Sequence, residues 1–446
     1  MFNKVIVANR GAVAARVLRA LKKLQIRSVA VYSEADAGAP YLAEADETYL
    51  LGAAPARESY LNQDALINVI RTSGADGLHP GYGFLAENAA FARLVEQAGA
   101  KFIGPSAQWI DAMGHKTRAR ELAIQHGLPV GQGSPVLSGD ESEMIRYAEQ
   151  IGFPVLIKPA GGGGGIGMLV ADKPADLVAS VERARSMAMR GFSNAEVYLE
   201  KYLQRPRHIE FQLLGDQHGT VRHLFDRDCS VQRRHQKVIE EASAPAVDRP
   251  KVNALAQKLA DTFSRMGYDN IGTVEMLMGA DGTFNFLEMN TRLQVEHGVT
   301  EEITGVDLVV AQIRSAAGEK LDAILPADLQ ANGHAVQARI YAEDSKRFLP
   351  SPGRLTTYRP PYGAGVRIET GYAEGREVTA HYDPLLAKVI AHGPTREAAI
   401  DTLLGAIRNF EVAGVKTNIA ALDIILSSDV FRAGDVHTGL VSELIR

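Results

Sequence analysis

Between Gly272 and Asn290 two β-rich runs flank Asp281-Gly282, the residue pair favoured in a two-residue type I′ hairpin turn. Such a turn pairs Ala280 with Thr283, and counting back along both strands sets Glu275 opposite Glu288. Asn290 joins them, because residues two apart on a strand share a face. The other face then carries Val274, Met276, Met278, Leu287 and Met289, a stripe suited to a core, while Leu277 and Phe286 flank the acids. Directly opposed carboxylates are unfavourable in a sheet. At about 5 Å their repulsion is roughly 0.8 kcal/mol in water and about 3 kcal/mol at an effective dielectric near 20. A divalent cation reverses that sign. Two carboxylates and an amide oxygen form a hard, all-oxygen set suited to Mg²⁺ or Mn²⁺ shared with substrate phosphates. Neutralisation of a solvated face by Lys or Arg is the competing reading, and the apolar Leu277 and Phe286 count against it. A three-residue loop would put the two glutamates on opposite faces.

Next comes Thr291-Arg292-Leu293-Gln294-Val295-Glu296-His297, in which Arg292, Gln294 and Glu296 alternate and would point one way from an extended segment. An arginine beside a carboxylate can hold a small oxyanion and take its proton, although such pairs are more often structural. Upstream, the segment from Arg227 to Lys237 concentrates cationic groups; read alone, its competitor is a solvated loop. Gly162, Gly164 and Gly167 satisfy G-x-G-x-x-G, but no helix pattern begins there and no Gly-Lys-Ser/Thr follows, so neither the dinucleotide nor the Walker mechanism applies. What remains is a mobile glycine hairpin between strands at 154–158 and 168–170. Its backbone can lie against phosphate oxygens, with Lys158 adding a cation; a flexible linker is the alternative. His79, His115, His208, His235 and His297 lack zinc-ligand spacing. Cys229, the only cysteine, excludes internal disulfides and is assigned to packing.

These groups need a scaffold. The chain opens with strand near 4–8, helix near 12–24 (Val13, Val17, Leu21 and Leu24 at helical spacing) and strand near 28–33, then helix-like stretches at 62–72 and 87–98. This alternation predicts a parallel α/β layer with ligands at the carboxyl ends of its strands, where Asn9-Arg10-Gly11 and 79–84 fall. The predicted units are 1–114, Rossmann-like; 115–330, with a lid over 131–203; and 331–446. The 446 residues are 46% apolar and 23% charged, which excludes disorder, collagen and coiled coil. Lys plus Arg number 48 against 53 Asp plus Glu, so no general nucleic-acid binder is expected. No apolar run is long enough to cross a bilayer, and a cytoplasmic location is expected.

Taken together, the segments resemble the biotin carboxylases of the ATP-grasp superfamily. The likeness spans essentially the whole chain: Val7-Ala8-Asn9-Arg10-Gly11, His79 through Asn88, the glycine run, Pro206-Arg207-His208-Ile209-Glu210, Cys229 through Lys237, Glu288 through His297, Gly333 through Arg339, and Phe348 through Gly353. The resemblance implies a mixed α/β and α+β architecture, an ATP-grasp fold with an N-terminal Rossmann-like domain, a glycine-rich lid and a C-terminal biotin-carboxylase domain. It implies that ATP and bicarbonate form carboxyphosphate and ADP, and that CO₂ passes to biotin on a biotin carboxyl carrier protein for a separate carboxyltransferase. Carried over by position, Lys116, Lys158, Gly163, Gly164, Gly165 and His208 would hold the nucleotide phosphates. Glu200, Lys201 and the backbone of Leu203 would meet the adenine, with Gln232 and His235 beside the nucleotide. Glu275, Glu288 and Asn290 would take one or two Mg²⁺ or Mn²⁺ ions. Lys237, Arg292, Gln294 and backbone Val295 resemble the bicarbonate site, with Glu296 as general base. Arg339 would stabilise the biotin enolate, with Tyr82 near the ureido ring.

The chain departs from the family pattern at Ile166, usually Arg; Gly298, usually Pro; Ala12, usually Glu; and Gln337, usually Glu. Gly-Ile-Gly and Val-Glu-His-Gly resemble urea-carboxylase-like branches, so acetyl-CoA, another acyl-CoA and urea all stand as final acceptors. No lysine is flanked by methionines, which places biotin on another polypeptide or another part of a longer chain. A homodimer is expected. Another ATP-grasp carboxylate–amine ligase is the enzymatic alternative, and a nucleotide-binding regulatory homologue the non-enzymatic one.

Overall fold

The structure, a computed structural model, describes residues 1–161, 167–192 and 194–445. Its first layer holds β1 (Lys4–Val7), β2 (Arg27–Ser33), β3 (Glu47–Gly52), β4 (Gly77–His79) and β5 (Lys101–Phe102). All pair in parallel, in the order β3-β2-β1-β4-β5. Val5 and Val7 enter one core and Ile6 another, as expected of a parallel strand covered on both faces. The helix Gly11–Lys23 buries Val13, Val17 and Leu21 against this sheet. Strand order reverses at β1, and the crevice between β1 and β4 is where such sheets hold ligands. There Asn9 Nδ2 donates to the carbonyls of Pro80 at 2.7 Å and Tyr82 at 2.8 Å, tying the two predicted loops together.

A small antiparallel sheet follows: β6 (Gly133–Val136), β7 (Val155–Pro159), β8 (Leu169–Ala171) and β9 (Val197–Lys201), in the order β6-β9-β7-β8. With the helices Glu141–Ile151 and Pro174–Phe192 it closes its own core around Ile157, Leu177 and Val181. The glycine run lies between β7 and β8; Gly163, Gly164, Gly165 and Ile166 fall outside the described residues.

The large sheet is antiparallel throughout. It comprises β10 (Arg207–Gly215), β11 (Val221–Arg233), β12 (Gln236–Ala242), β13 (Ile271–Met278), β14 (Phe284–Asn290) and β15 (His334–Tyr341). Beyond the short ribbon strands β16 (Gly353–Arg354), β17 (Thr357–Arg359), β19 (Glu377–Val378) and β21 (Glu411–Ala413), it takes in β18 (Val366–Thr370) and β20 (Leu385–Gly393). The order is β14-β13-β10-β11-β12-β15-β20-β18. One sheet therefore runs unbroken across the sequence boundary at 330, through the pairing of β12 with β15. Among the described residues no helix is long and apolar enough to cross a membrane.

The hairpin β13–β14 corrects the sequence reading twice. Its connection is a three-residue loop, closed by Gly279 N–H to the Thr283 carbonyl and by Gly282 N–H to the Gly279 carbonyl, both 2.9 Å. Gly282 sits at φ +72°, the left-handed position that a type I turn followed by a bulge requires. The pairing near the turn is thus one residue out of the expected register, with Met278 opposite Phe284 and Met276 opposite Phe286. The register then shifts once more between Glu275 and Met276, and Glu275 faces Glu288 after all. The extra residue is Leu287, a β-bulge that re-aims the residues beyond it. In consequence Phe286 packs in the core and Leu287 joins Leu277 on the open face, the reverse of the predicted assignment.

Candidate active site

A cavity of about 870 Å³ opens between the three regions. Every predicted site residue that the structure describes lines it: Tyr82, Lys116, Lys158, Glu200, Lys201, Leu203, His208, Gln232, His235, Lys237, Glu275, Glu288, Asn290, Arg292, Gln294, Val295, Glu296 and Arg339. Leu156, Met168, Val170 and Leu203 supply apolar wall at the lid end, suited to a flat heterocycle. Lys158 contacts the Glu200 carboxylate, and the Lys201 ammonium turns to the carbonyls of Gly152 and Phe153, at 2.8 and 3.2 Å.

The segment read as a possible solvated loop is instead a strand hairpin, buried along β11 and exposed at its turn. Arg227 is fully buried in β11, and Arg234-His235 form its tight turn to β12, both in the left-handed region at φ +48° and +66°. That is type I′ geometry without a glycine, a backbone strain of the kind found at ligand sites. It sets His235 on the cavity wall and starts β12 so that Lys237 points inward.

Lys237 is the electrostatic centre. Its ammonium donates to Glu210 at 2.6 Å and to Glu275 and Glu296 at 2.7 Å each. Burial would pull that ammonium down, but the three carboxylates outweigh it and hold Lys237 well above the usual lysine range. The acids respond in kind. Burial pushes the Glu275 carboxyl up, while Lys237 and His208 overcome it and keep it well below the ordinary range. Glu296 is likewise pushed up by burial and drawn below its usual value by Lys237, Arg339 and Arg227. Glu210, to which the sequence reading gave no role, belongs here: it pairs directly with Glu275 across β10 and β13 and accepts from Arg227 at 2.5 Å. Its position two residues after His208 on one strand was the available signal.

The segment 291–296 is irregular, not extended as expected, and Glu296 is the N-cap position of the helix His297–Thr304. The side chains still converge. Arg292 donates to Gln294 Oε1 at 2.6 Å, to Asn290 Oδ1 at 2.9 Å and to Glu87 at 2.8 Å. Gln294 donates to Glu275 at 3.1 Å. Glu87, which closes the stretch after the His79 loop, ties the first layer to this segment and also accepts from Thr291 N–H at 3.2 Å. Arg339 donates to Glu296 at 3.0 Å and to Glu240 at 2.5 Å. Burial and Glu369 push the Tyr82 phenol above its usual range. His79 and His297, driven by burial to about 3 and about 4, are neutral structural groups, and burial raises the Cys229 thiol, in line with a packing role.

Lysines do accompany the hairpin acids: Lys237 on Glu275, and Lys116 on Glu288 at 3.2 Å. The neutralisation set aside at the sequence level is therefore present. A carboxylate offers about four lone-pair positions. Glu275 uses two, toward Lys237 and Gln294, with His208 Nε2 standing 3.3 Å away, and Glu288 meets Lys116 alone. Oxygen valence remains on both and on Asn290 Oδ1, so the three residues fit a hard divalent cation.

Known proteins point the same way. The sequence pattern described as "Biotin carboxylase, N-terminal domain" matches residues 1–110, "Carbamoyl-phosphate synthase L chain, ATP binding domain" 115–324, and "Biotin carboxylase C-terminal domain" 337–443. The biotin carboxylase of Halalkalibacterium halodurans is 46% identical over 100% of this chain and 98% of its own length. A pyruvate carboxylase subunit from Methanothermobacter thermautotrophicus is 46% identical over 100% of this chain and 91% of its own. A crystal structure of the biotin carboxylase domain dimer of Hydrogenobacter thermophilus 2-oxoglutarate carboxylase, with MgADP, ADP and bicarbonate, superposes with a TM-score of 0.95 at 43% identity, covering 99% of this chain and 98% of that one. On likeness of this extent from end to end, the chain belongs to the biotin carboxylase family of ATP-dependent ligases.

Proposed function

We propose that this cavity transfers the γ-phosphoryl group of ATP to bicarbonate, giving carboxyphosphate and ADP, and that the CO₂ released from carboxyphosphate with phosphate passes to biotin borne on a carrier protein, with a separate carboxyltransferase downstream. One observation carries the reading: a cation hub, Lys237, held between the metal-suited Glu275 and the buried Glu296, with Arg292 and Arg339 on the same wall. Lys116, Lys158 and His208 face the nucleotide phosphates, and Glu200, Lys201 and Leu203 face the base. Glu275, Glu288 and Asn290 would hold Mg²⁺, which supplies charge neutralisation at the phosphates. Arg292, Gln294, Val295 and Lys237 bind bicarbonate. An anion arriving beside Lys237 and Arg339 competes for their charge, which raises the basicity of Glu296 when it must take the bicarbonate proton. Arg339 then faces the ureido oxygen as negative charge develops there, beside Tyr82.

The relative from Hydrogenobacter thermophilus is a dimer, and the same assembly is proposed here, in the cytoplasm. The relatives serve different carboxylases, of pyruvate and of 2-oxoglutarate, so the final acceptor lies with the partner carboxyltransferase.

The test is phosphate release from MgATP by the purified chain. The expected result is cleavage that requires bicarbonate and rises with free biotin. Cleavage indifferent to bicarbonate, or driven by an amine and another carboxylate, would overturn the reading in favour of a different ligase.

A further inference from the structure

Lys388 is wholly buried, contacts the Glu369 carboxylate, and has no part in the roles assigned above. It sits in β20, where registered pairing places it directly between Arg339 of β15 and Glu369 of β18. Residues paired in register project from the same face of a sheet. Arg339, Lys388 and Glu369 therefore form a row across three strands, on the face covered by the start of the helix His297–Thr304. Close packing there is direct: a β-carbon on Gly298 would stand 2.4 Å from Ile390 Cδ1, two residues along β20.

The first two members of the row grip consecutive residues of the segment above. Arg339 donates to the Glu296 carboxylate at 3.0 Å, and Lys388 donates to the Val295 carbonyl at 2.8 Å. The third member anchors the second: Glu369 contacts the Lys388 ammonium and is itself held by Arg367. The ring of His297 adds a third support, its Nδ1 2.7 Å from the Gln294 carbonyl. A buried, unpaired charge is strongly unfavourable, so an ammonium placed here to cap one carbonyl must be sustained by its anchor. Burial does pull Lys388 below the usual lysine range, against the opposing pull of Glu369.

We propose that Lys388 is a positioning residue: anchored by Glu369, it fixes the Val295–Glu296 peptide from behind, so that the backbone of Val295 and the carboxylate of Glu296 face bicarbonate together. The inference rests on the proposed function. It acts on the bicarbonate half of the cavity, since the nucleotide residues sit on other strands and in the lid.

The test compares wild type, Lys388→Met and Glu369→Gln by steady-state ATP cleavage, with bicarbonate and ATP varied separately. ADP binding by calorimetry reports folding of the nucleotide site. Bicarbonate-dependent cleavage by wild type is the control arm; its absence refutes the functional reading itself. In Lys388→Met, kcat/KM for bicarbonate is expected to fall about thirtyfold, the equivalent of about 2 kcal/mol. ADP affinity and KM for ATP should stay within about twofold of wild type, less than about 0.4 kcal/mol. Glu369→Gln, which keeps the ammonium but loosens it, should move the same ratio in the same direction by a smaller factor, and it carries the test if Lys388→Met does not fold. A bicarbonate kcat/KM unchanged in a variant that binds ADP normally overturns the proposal. So does a weakening of ADP affinity and a rise in KM for ATP that match the loss for bicarbonate, the mark of a merely structural lysine.

Discussion

Replacing Lys237 with methionine keeps most of the alkyl volume and removes a charge shared by Glu210, Glu275 and Glu296. A pair of unit charges 2.7 Å apart interacts by about 6 kcal/mol at an effective dielectric near 20. The site will not bear three such losses, because a carboxylate takes a proton first. Glu210 keeps Arg227 at 2.5 Å, and Glu296 keeps Arg339 at 3.0 Å. Glu275 is left with His208 and the Gln294 amide and is the group that protonates. Removing one partner of a buried pair then costs about 3–5 kcal/mol. With an unfolding entropy of about 2.1 cal/mol/K per residue over 446 residues, or about 0.9 kcal/mol/K, Tm falls by about 3–5 °C.

The sign of the pH dependence separates this charge argument from lost packing. In wild type the depressed Glu275 contributes stability above the unfolded carboxylate value of about 4.3, lost as pH falls through its folded value. In Lys237→Met the folded value is raised instead, so that contribution is present at low pH and lost as pH rises. The two curves therefore diverge upward, by about 1.4 kcal/mol per pH unit while the variant alone holds the proton. Melting curves between pH 5 and 8 in chelator-treated buffer should show a gap that widens by at least about 2 °C, from about 1 °C per kcal/mol for a chain of this size. A gap constant with pH would refute the assignment of Lys237 as counter-ion to Glu275.

Glu296→Gln is expected to lower bicarbonate-dependent kcat by about 10²–10⁴-fold, the usual contribution of a positioned base, with ADP affinity by calorimetry unchanged. Glu288→Gln should raise the Mg²⁺ concentration for half-maximal ATP cleavage about tenfold, or about 1.4 kcal/mol, measured by titration at saturating ATP. Gly298→Ala should destabilise by about 1–3 kcal/mol through overpacking, because its β-carbon would meet Ile390 Cδ1 at 2.4 Å. Ile390→Val removes that methyl, so a melting-based double-mutant cycle should return a favourable coupling in the paired variant.

What the sequence disclosed and what it withheld divide along one physical line. Periodicity is local, so β1, the helix Gly11–Lys23 and β2 fall within a residue or so of their expected ranges. Register is cumulative, and there the reading failed in its steps: the turn is one residue longer than Asp281-Gly282 suggested, and Leu287 bulges. The two displacements cancel at Glu275 and Glu288, leaving the acids opposed while exchanging Phe286 and Leu287 between core and cavity. Nothing local could disclose the bulge, because Leu287 suits either face and the choice is made by how Phe284, Phe286 and Met289 pack against Phe211 and Met276. Charge partners are less local still. Glu210 was within reach through its spacing from His208, whereas Lys388 lies 93 residues from the carbonyl it caps. Only the order β12-β15-β20-β18, with its registered rows, brings that lysine beneath the Val295–Glu296 peptide. Chemistry-bearing residues on one hairpin can be read from their spacing, but the groups that orient them are chosen by the sheet, so substitutions at β20 and β18 are where function should respond without any contact to substrate.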